Sequence, residues 1–193
     1  MARPRLEVAD IFRGQAGTSL AISVGNGGSQ TVNASSGTLN ASGDRVFNVT
    51  SLNFVNGATL FINGDAAGDS VVFNMNLNAS FGGAIVLTGL SPDQVLFNII
   101  GSSHSLHLTA NGATLVGDFL DPLGTVSMNH AVLDGRLFGG DSSDMQIVSG
   151  ATLDAPVDTP LPGALPLMVT ALAGGFAFLR RRRVQPLSLA PPT

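Results

Sequence analysis

The sequence predicts an all-β chain, a β-helix or solenoid of roughly 18–20-residue coils, followed by a single C-terminal hydrophobic helix. Three observations predict it. Short apolar runs alternate with polar ones and are punctuated by Asn-Gly, Gly-Gly and Ser-Gly, the pattern of strands and turns. One phrase, Asn-Gly-Ala-Thr-Leu, stands at Asn56–Leu60 and again at Asn111–Leu115. Lastly, the 19 residues from Leu161 to Leu179 carry no charge and run directly into Arg180, Arg181, Arg182 and Arg183.

Taken in order, residues 1–13 begin with basic residues but lack the apolar run of roughly 7–15 residues that a secretory leader requires. They are expected to be a poorly ordered start, with an upstream segment missing. Residues 14–156 are expected to form the solenoid. Its clearest strand is Val71–Asn78, with Val71, Phe73, Met75 and Leu77 on one face and Val72, Asn74, Asn76 and Asn78 on the other. Shorter echoes of the repeated phrase end at Leu39 and Leu153, so the four leucines are separated by 21, 55 and 38 residues. Those gaps predict one, three and two coils. Val71–Asn74 and Val95–Asn98 repeat each other with a longer gap, which predicts a coil with an insertion. Gly and Asn are expected at corners where φ turns positive. With its proximal coils missing, the chain should expose a strand edge near Val46–Phe54.

Residues 157–193 form a separate tail. A helix over 161–179 would be about 28 Å long, close to the hydrocarbon thickness of a bilayer. Pro162 and Pro166 sit at its start, and Gly174 and Gly175 interrupt it. The arginine cluster at 180–183 would remain on the cytoplasmic side and leave the rest of the chain outside the inner membrane.

Composition excludes several functions. There is no Cys, so disulfide frameworks and thiolate metal sites are absent. Ahead of the tail cluster, five arginines face 13 acidic residues, a net −8 that makes a poor nucleic-acid binder. No nucleophile elbow, phosphate loop or HExxH helix occurs.

Two resemblances follow from particular residues. The order of a Pro-rich motif, an apolar helix and an Arg cluster resembles the PEP-CTERM class of bacterial sorting signals, in the variant that opens Val-Pro-Leu-Pro-Ala. Here Thr159 precedes Pro160, Leu161 and Pro162, and Gly163 follows them. That resemblance implies an exosortase-type membrane transpeptidase as partner. The stretch from about Phe47 to Leu153 is similar to the choice-of-anchor A family. The similarity is carried by Leu96, Phe97 and Asn98, by Phe119–Pro122 and by Gly135–Gly140. It implies an exported protein with varied C-terminal anchors and a fold like the β-helices of ice-binding proteins.

Candidate chemistry is sparse. His104 and His107 are three apart and would point to opposite faces of a strand, and His130 is isolated. Asp118, Asp121, Asp134, Asp141 and Asp144 are carboxylates that stacked coils could bring together. Asp141 and Asp144, in Gly-Gly-Asp-Ser-Ser-Asp, are weak calcium candidates, since a hard cation needs six or more oxygens. No catalytic residue and no cofactor is expected. Thr59, Thr114 and Thr152 recur once per repeat beside turns rather than along a Thr-x-Thr ladder, which disfavours ice.

The leading expectation is therefore a non-enzymatic, exported protein of the cell surface or extracellular matrix. Its partners would be the transpeptidase, the inner membrane and an exopolysaccharide matrix. The alternatives are a solenoid that binds polysaccharide or ice, and a carbohydrate-cleaving β-helix.

Overall fold

Strict alternation sets the strands: every second residue is apolar and turns inward, and the polar residues between them turn out. The computed structural model describes residues 16–64, 69–140 and 143–154, and these contain strands and two single 3-10 turns but no α-helix. The chain divides into two units, residues 1–156 and 157–193. All described residues belong to the first. The expected start 1–13, the tail helix, the Pro160–Gly163 motif, the arginine cluster and Asp141 lie outside the described residues.

The first strands are β1 (Thr18–Val24), β2 (Ser29–Asn33), β3 (Thr38–Leu39), β4 (Asp44–Phe54) and β5 (Thr59–Asn63). Next come β6 (Ser70–Met75), β7 (Ala79–Phe81), β8 (Ala84–Thr88), β9 (Val95–Ile99), β10 (Ser105–Leu108) and β11 (Thr114–Val116). The last are β12 (Asp118–Asp121), β13 (Thr125–Met128), β14 (Val132–Asp134), β15 (Leu137–Gly139), β16 (Met145–Ile147) and β17 (Thr152–Asp154).

One sheet runs β1-β4-β6-β9-β12-β15, and only β3 pairs antiparallel, against β4. A second runs β7-β10-β13-β16, and the third side is formed by β2-β5-β8 and β11-β14-β17. Every ladder along these paths is parallel, so each pass of the chain adds one strand to each side, a winding compatible with a β-helix. In the earliest passes β1 and β4 are long and serve two sides; the Gly82 N–H donates to the Phe54 carbonyl at 2.9 Å, which joins the end of β4 to the second sheet.

Aromatic rings fill the interior. Phe47, Phe73, Phe97 and Phe119 occupy one inward row and stack with centroids 5.3, 5.0 and 4.7 Å apart. Phe81 meets Phe97 and Phe119 edge-on at 5.2 and 5.1 Å. All five are at most 1% exposed. The paired segments Val71–Asn74 and Val95–Asn98 do lie in register.

The repeated phrase is a corner. In Asn56–Leu60 the Ala58 N–H bonds to the Val55 carbonyl at 3.1 Å, and Gly57 takes φ +76. Ala58 then turns in, Thr59 out and Leu60 in, with Ala58 and Leu60 buried. The same turn bond closes Ala110–Ala113, Val148–Ala151 and Gly25–Gly28. The Gly27 N–H donates to the Gly57 carbonyl at 3.1 Å, so one corner stacks on the next.

Several expectations need correction. Only the last coils have the short period. Cross-coil hydrogen bonds join Asn33 to Asn63, 30 residues apart, Asp44 to Ser70, 26 apart, and Asn74 to Asn98, 24 apart. The spacing falls to 20 at His107–Ser127 and 18 at Asp118–Arg136. Early coils are longer because side loops and β3 are inserted into them. Leu39 is no part of the corner stack: it lies on β3, 56% exposed, and Gln30 holds the position beside Leu60. The interval Leu60–Leu115 crosses two coils, since Leu60 pairs with Ile85 and β8 neighbours β11. The predicted strand Val71–Asn78 ends at Met75, and Val72 and Asn74 on its outward side are only 4% and 5% exposed. Finally, Val46–Phe54 is not an edge. β4 lies between β1 and β6, and Val46, Phe47, Val49 and Phe54 are buried.

Candidate ligand-binding face

The second sheet turns a regular polar surface to solvent. Leu106 and Leu108 on β10 point into the core at 0% exposure, which forces Ser105 and His107 outward. The same alternation sends Ser80 out from β7, Thr125 and Ser127 out from β13, and Gln146 out from β16. Parallel register then aligns Ser80, His107, Ser127 and Gln146 into one row across four strands. A second row pairs Ser105 with Thr125, continued by Asn78, whose Oδ1 accepts from the Ser105 N–H at 3.1 Å. Thr109 and Asn129 flank a third row where the strands end. Neighbouring strands in such a sheet are about 4.8 Å apart and successive outward residues about 6.6 Å apart, so hydroxyls, amides and an imidazole form a near-planar grid.

The grid is ordered by its own contacts. His107 Nδ1 and Ser127 Oγ share a hydrogen bond of 2.6 Å across the β10–β13 ladder. At one margin His104 Nε2 and Asn76 Oδ1 are 3.0 Å apart. His104 and His107 thus serve different surroundings, while His130 occupies a corner with φ 48 beside Asn129. Among the described residues no group of three or more His, Cys, Asp or Glu is placed to hold a metal ion.

The carboxylates disperse. Asp118, outward on β12, accepts from the Arg136 N–H at 3.0 Å and pairs with its guanidinium at 3.7 Å. Burial still holds its carboxyl above the usual range, with Arg136 opposing the rise. Asp121 turns inward at the end of the same strand and is fully buried; its Oδ1 accepts from the Gly124 N–H at 2.8 Å, while Oδ2 has no hydrogen-bond partner. Desolvation raises its pKa against the pull of the Gly124 and Leu123 backbone and of His104. Asp134 faces outward on the third side, and Asp144 precedes β16, exposed. These positions do not converge on one groove, and the carbohydrate-cleaving reading loses its basis.

The third side offers a different grid. Register aligns Thr31 with Phe61 and Val86, and Ser29 with Thr59 and Ala84. Thr114 and Thr152 flank Val132 in an outward row of β11-β14-β17. The three threonines of the repeated phrase are therefore the first residues of strands, in outward rows, and not turn residues as expected from the sequence.

Sequence reasoning singled out His107 only as a possible metal ligand and passed over Ser80, Ser127 and Gln146. Each is unremarkable alone. The available signal was alternation in Ser105-Leu-His107-Leu-Thr109 and Thr125-Val-Ser127-Met-Asn129, which implies two outward polar rows but not that they adjoin.

Comparison with known proteins adds one match. Residues 6–147 match the family model of an ice-binding-like adhesive domain. No curated protein and no solved structure matches the chain.

Proposed function

The chain belongs to the ice-binding-like adhesive domain family, and from that membership we propose that it is a non-enzymatic surface adhesin whose β-solenoid binds a repetitive, hydroxyl-rich polysaccharide. The observation that carries this reading is the Ser80–His107–Ser127–Gln146 row on the β7-β10-β13-β16 sheet. Flexible polysaccharides present hydroxyls at short, regular intervals. A rigid grid of small donors and acceptors meets them without first being ordered, which lowers the entropic cost of binding. The row carries no carboxylate, so an acidic glycan is not repelled at close range.

The test is a glycan array with the full chain and with His107→Ala and Ser127→Leu, both on the outward side. A panel of matrix polysaccharides should be bound, and each variant should weaken binding roughly tenfold, the scale of one lost polar contact of about 1.4 kcal/mol. Silence across the array, or binding indifferent to both variants, overturns the reading. Ice is the second reading, favoured by the Thr31–Phe61–Val86 row, where apolar and hydroxyl groups mix on a flat side. Thermal hysteresis abolished by Val86→Lys would move the assignment there.

Delivery rests on the tail. The choice-of-anchor A resemblance, the Pro160, Leu161, Pro162, Gly163 motif, the apolar run 161–179 and Arg180–Arg183 support export, sorting by an exosortase-type transpeptidase and anchoring at the inner membrane before release to the surface or matrix. Deleting 159–183 and fractionating cells tests this. A deleted chain that still reached the envelope would remove the sorting role.

A further inference from the structure

We propose that the last coil is a self-association surface, through which two copies of this chain meet end to end in an antiparallel pair. The two ends of the described fold differ. In the first coil the inward residues Ile22, Val24 and Val32 are 0%, 2% and 3% exposed, so that end is closed. In the last coil the inward residues are open. Met145 and Ile147 stand one coil beyond Val126 and Met128, and Leu153 one coil beyond Leu133. Val126, Met128 and Leu133 are at most 1% exposed, whereas Met145, Ile147 and Leu153 are 37%, 52% and 45% exposed. These are core positions without a next layer.

The backbone is open there too. Among the described residues β15, β16 and β17 each pair on one side only, with β12, β13 and β14. None of the three strands carries Lys, Arg or Pro, the usual guards of a free edge. Three edges around one apolar patch have the cross-section of another coil. A single extended peptide answers one edge at a time, while a second copy turned by a two-fold axis presents the same ring with its strands reversed. Because the first coil is closed, the association stops at two copies and does not grow into a filament. Asp144 and Asp154 lie outward of this ring, at its rim. Three short strands and three half-exposed core side chains per copy make a small interface, so dimerisation should fall at roughly micromolar concentrations.

The experiment uses the full chain in mild detergent micelles, which cover the apolar tail. Sedimentation velocity across a concentration series should show a monomer–dimer equilibrium. Ile147→Lys and Leu153→Lys alter side chains already in solvent, so circular dichroism should be unchanged while the dissociation constant rises roughly tenfold or more. Val86→Lys, on a side face, should leave it unaltered. Since the chain has no Cys, Phe138→Cys, Gln146→Cys and Thr152→Cys can each report on one edge; at least one should give a disulfide-linked dimer under oxidation, and Ser19→Cys on the first coil none. A dimer indifferent to both lysines, or cross-links from Ser19→Cys alone, overturns the proposal. So does a monomer whose β16 amides are protected from exchange, which would assign the end to the chain's own following residues.

Discussion

Replacing Phe97 with alanine tests how the solenoid is held together. Phe97 is fully buried at the centre of the phenylalanine row, stacked on Phe73 at 5.0 Å and on Phe119 at 4.7 Å, with Phe81 edge-on at 5.2 Å. Large-to-small changes of this kind cost about 3–5 kcal/mol, combining lost transfer energy with the cavity left behind. Each aromatic pair adds about 0.5–1.5 kcal/mol beyond burial, and Phe97 makes three, which places the loss toward the upper end. Against a typical total of about 5–15 kcal/mol, the variant keeps a minor share of its stability or unfolds. Phe97→Leu keeps an apolar side chain and loses the ring contacts, and should cost about 1–2 kcal/mol. Phe138 is the control: on outward β15, 47% exposed, its change to alanine should cost under about 0.5 kcal/mol. The chain lacks Trp and Tyr, so urea unfolding is best followed by far-UV circular dichroism. A loss at Phe97→Ala below about 2 kcal/mol, or equal to that at Phe138→Ala, would refute the account of the stack as the organising core.

Three further outcomes are expected. Asp121 has a folded pKa raised above 3.8 by burial, so its neutral form stabilises the fold fully below that value and this contribution is lost as pH rises through the raised value; Asp121→Asn should therefore be more stable than the parent at pH 7, with equal stability at pH 7 counting against it. Gly135→Ala places a methyl 2.0 Å from the Gly117 carbonyl oxygen at φ +149, and thermal unfolding should show a loss of at least about 3 kcal/mol, so a near-neutral result would mean the coil shifts freely there. His130 holds a corner at φ 48 where related corners use Gly, so His130→Gly should stabilise by about 0.5–1 kcal/mol in urea unfolding, and a loss of stability would show that the imidazole contacts with Asn129 and over Gly150 outweigh the strain.

The amino-acid sequence alone determined the strand-and-turn character of the body and which side chains point inward. Alternation is a local property of the pleat, and it holds whatever a strand pairs with. Val71, Phe73 and Met75 were legible for that reason, as was the Asn-Gly corner, where a positive φ selects Gly. Tertiary structure decided the rest. Corners at Gly83–Ile85 and His130–Leu133 share register with Asn56–Leu60 and Asn111–Leu115, yet the phrase has faded in them. A corner needs only the turn bond and the in-out order, which many residues satisfy. Coil length was equally hidden, since loops leave a coil without disturbing its pairing. Asn74 and Asn98 read as exposed polar positions but are buried on the outward side of their sheet, joined through Asn98 Nδ2 to Asn74 Oδ1 at 2.9 Å. The polar grid is decided the same way: Ser80, His107, Ser127 and Gln146 lie far apart along the chain, and only parallel register makes them neighbours.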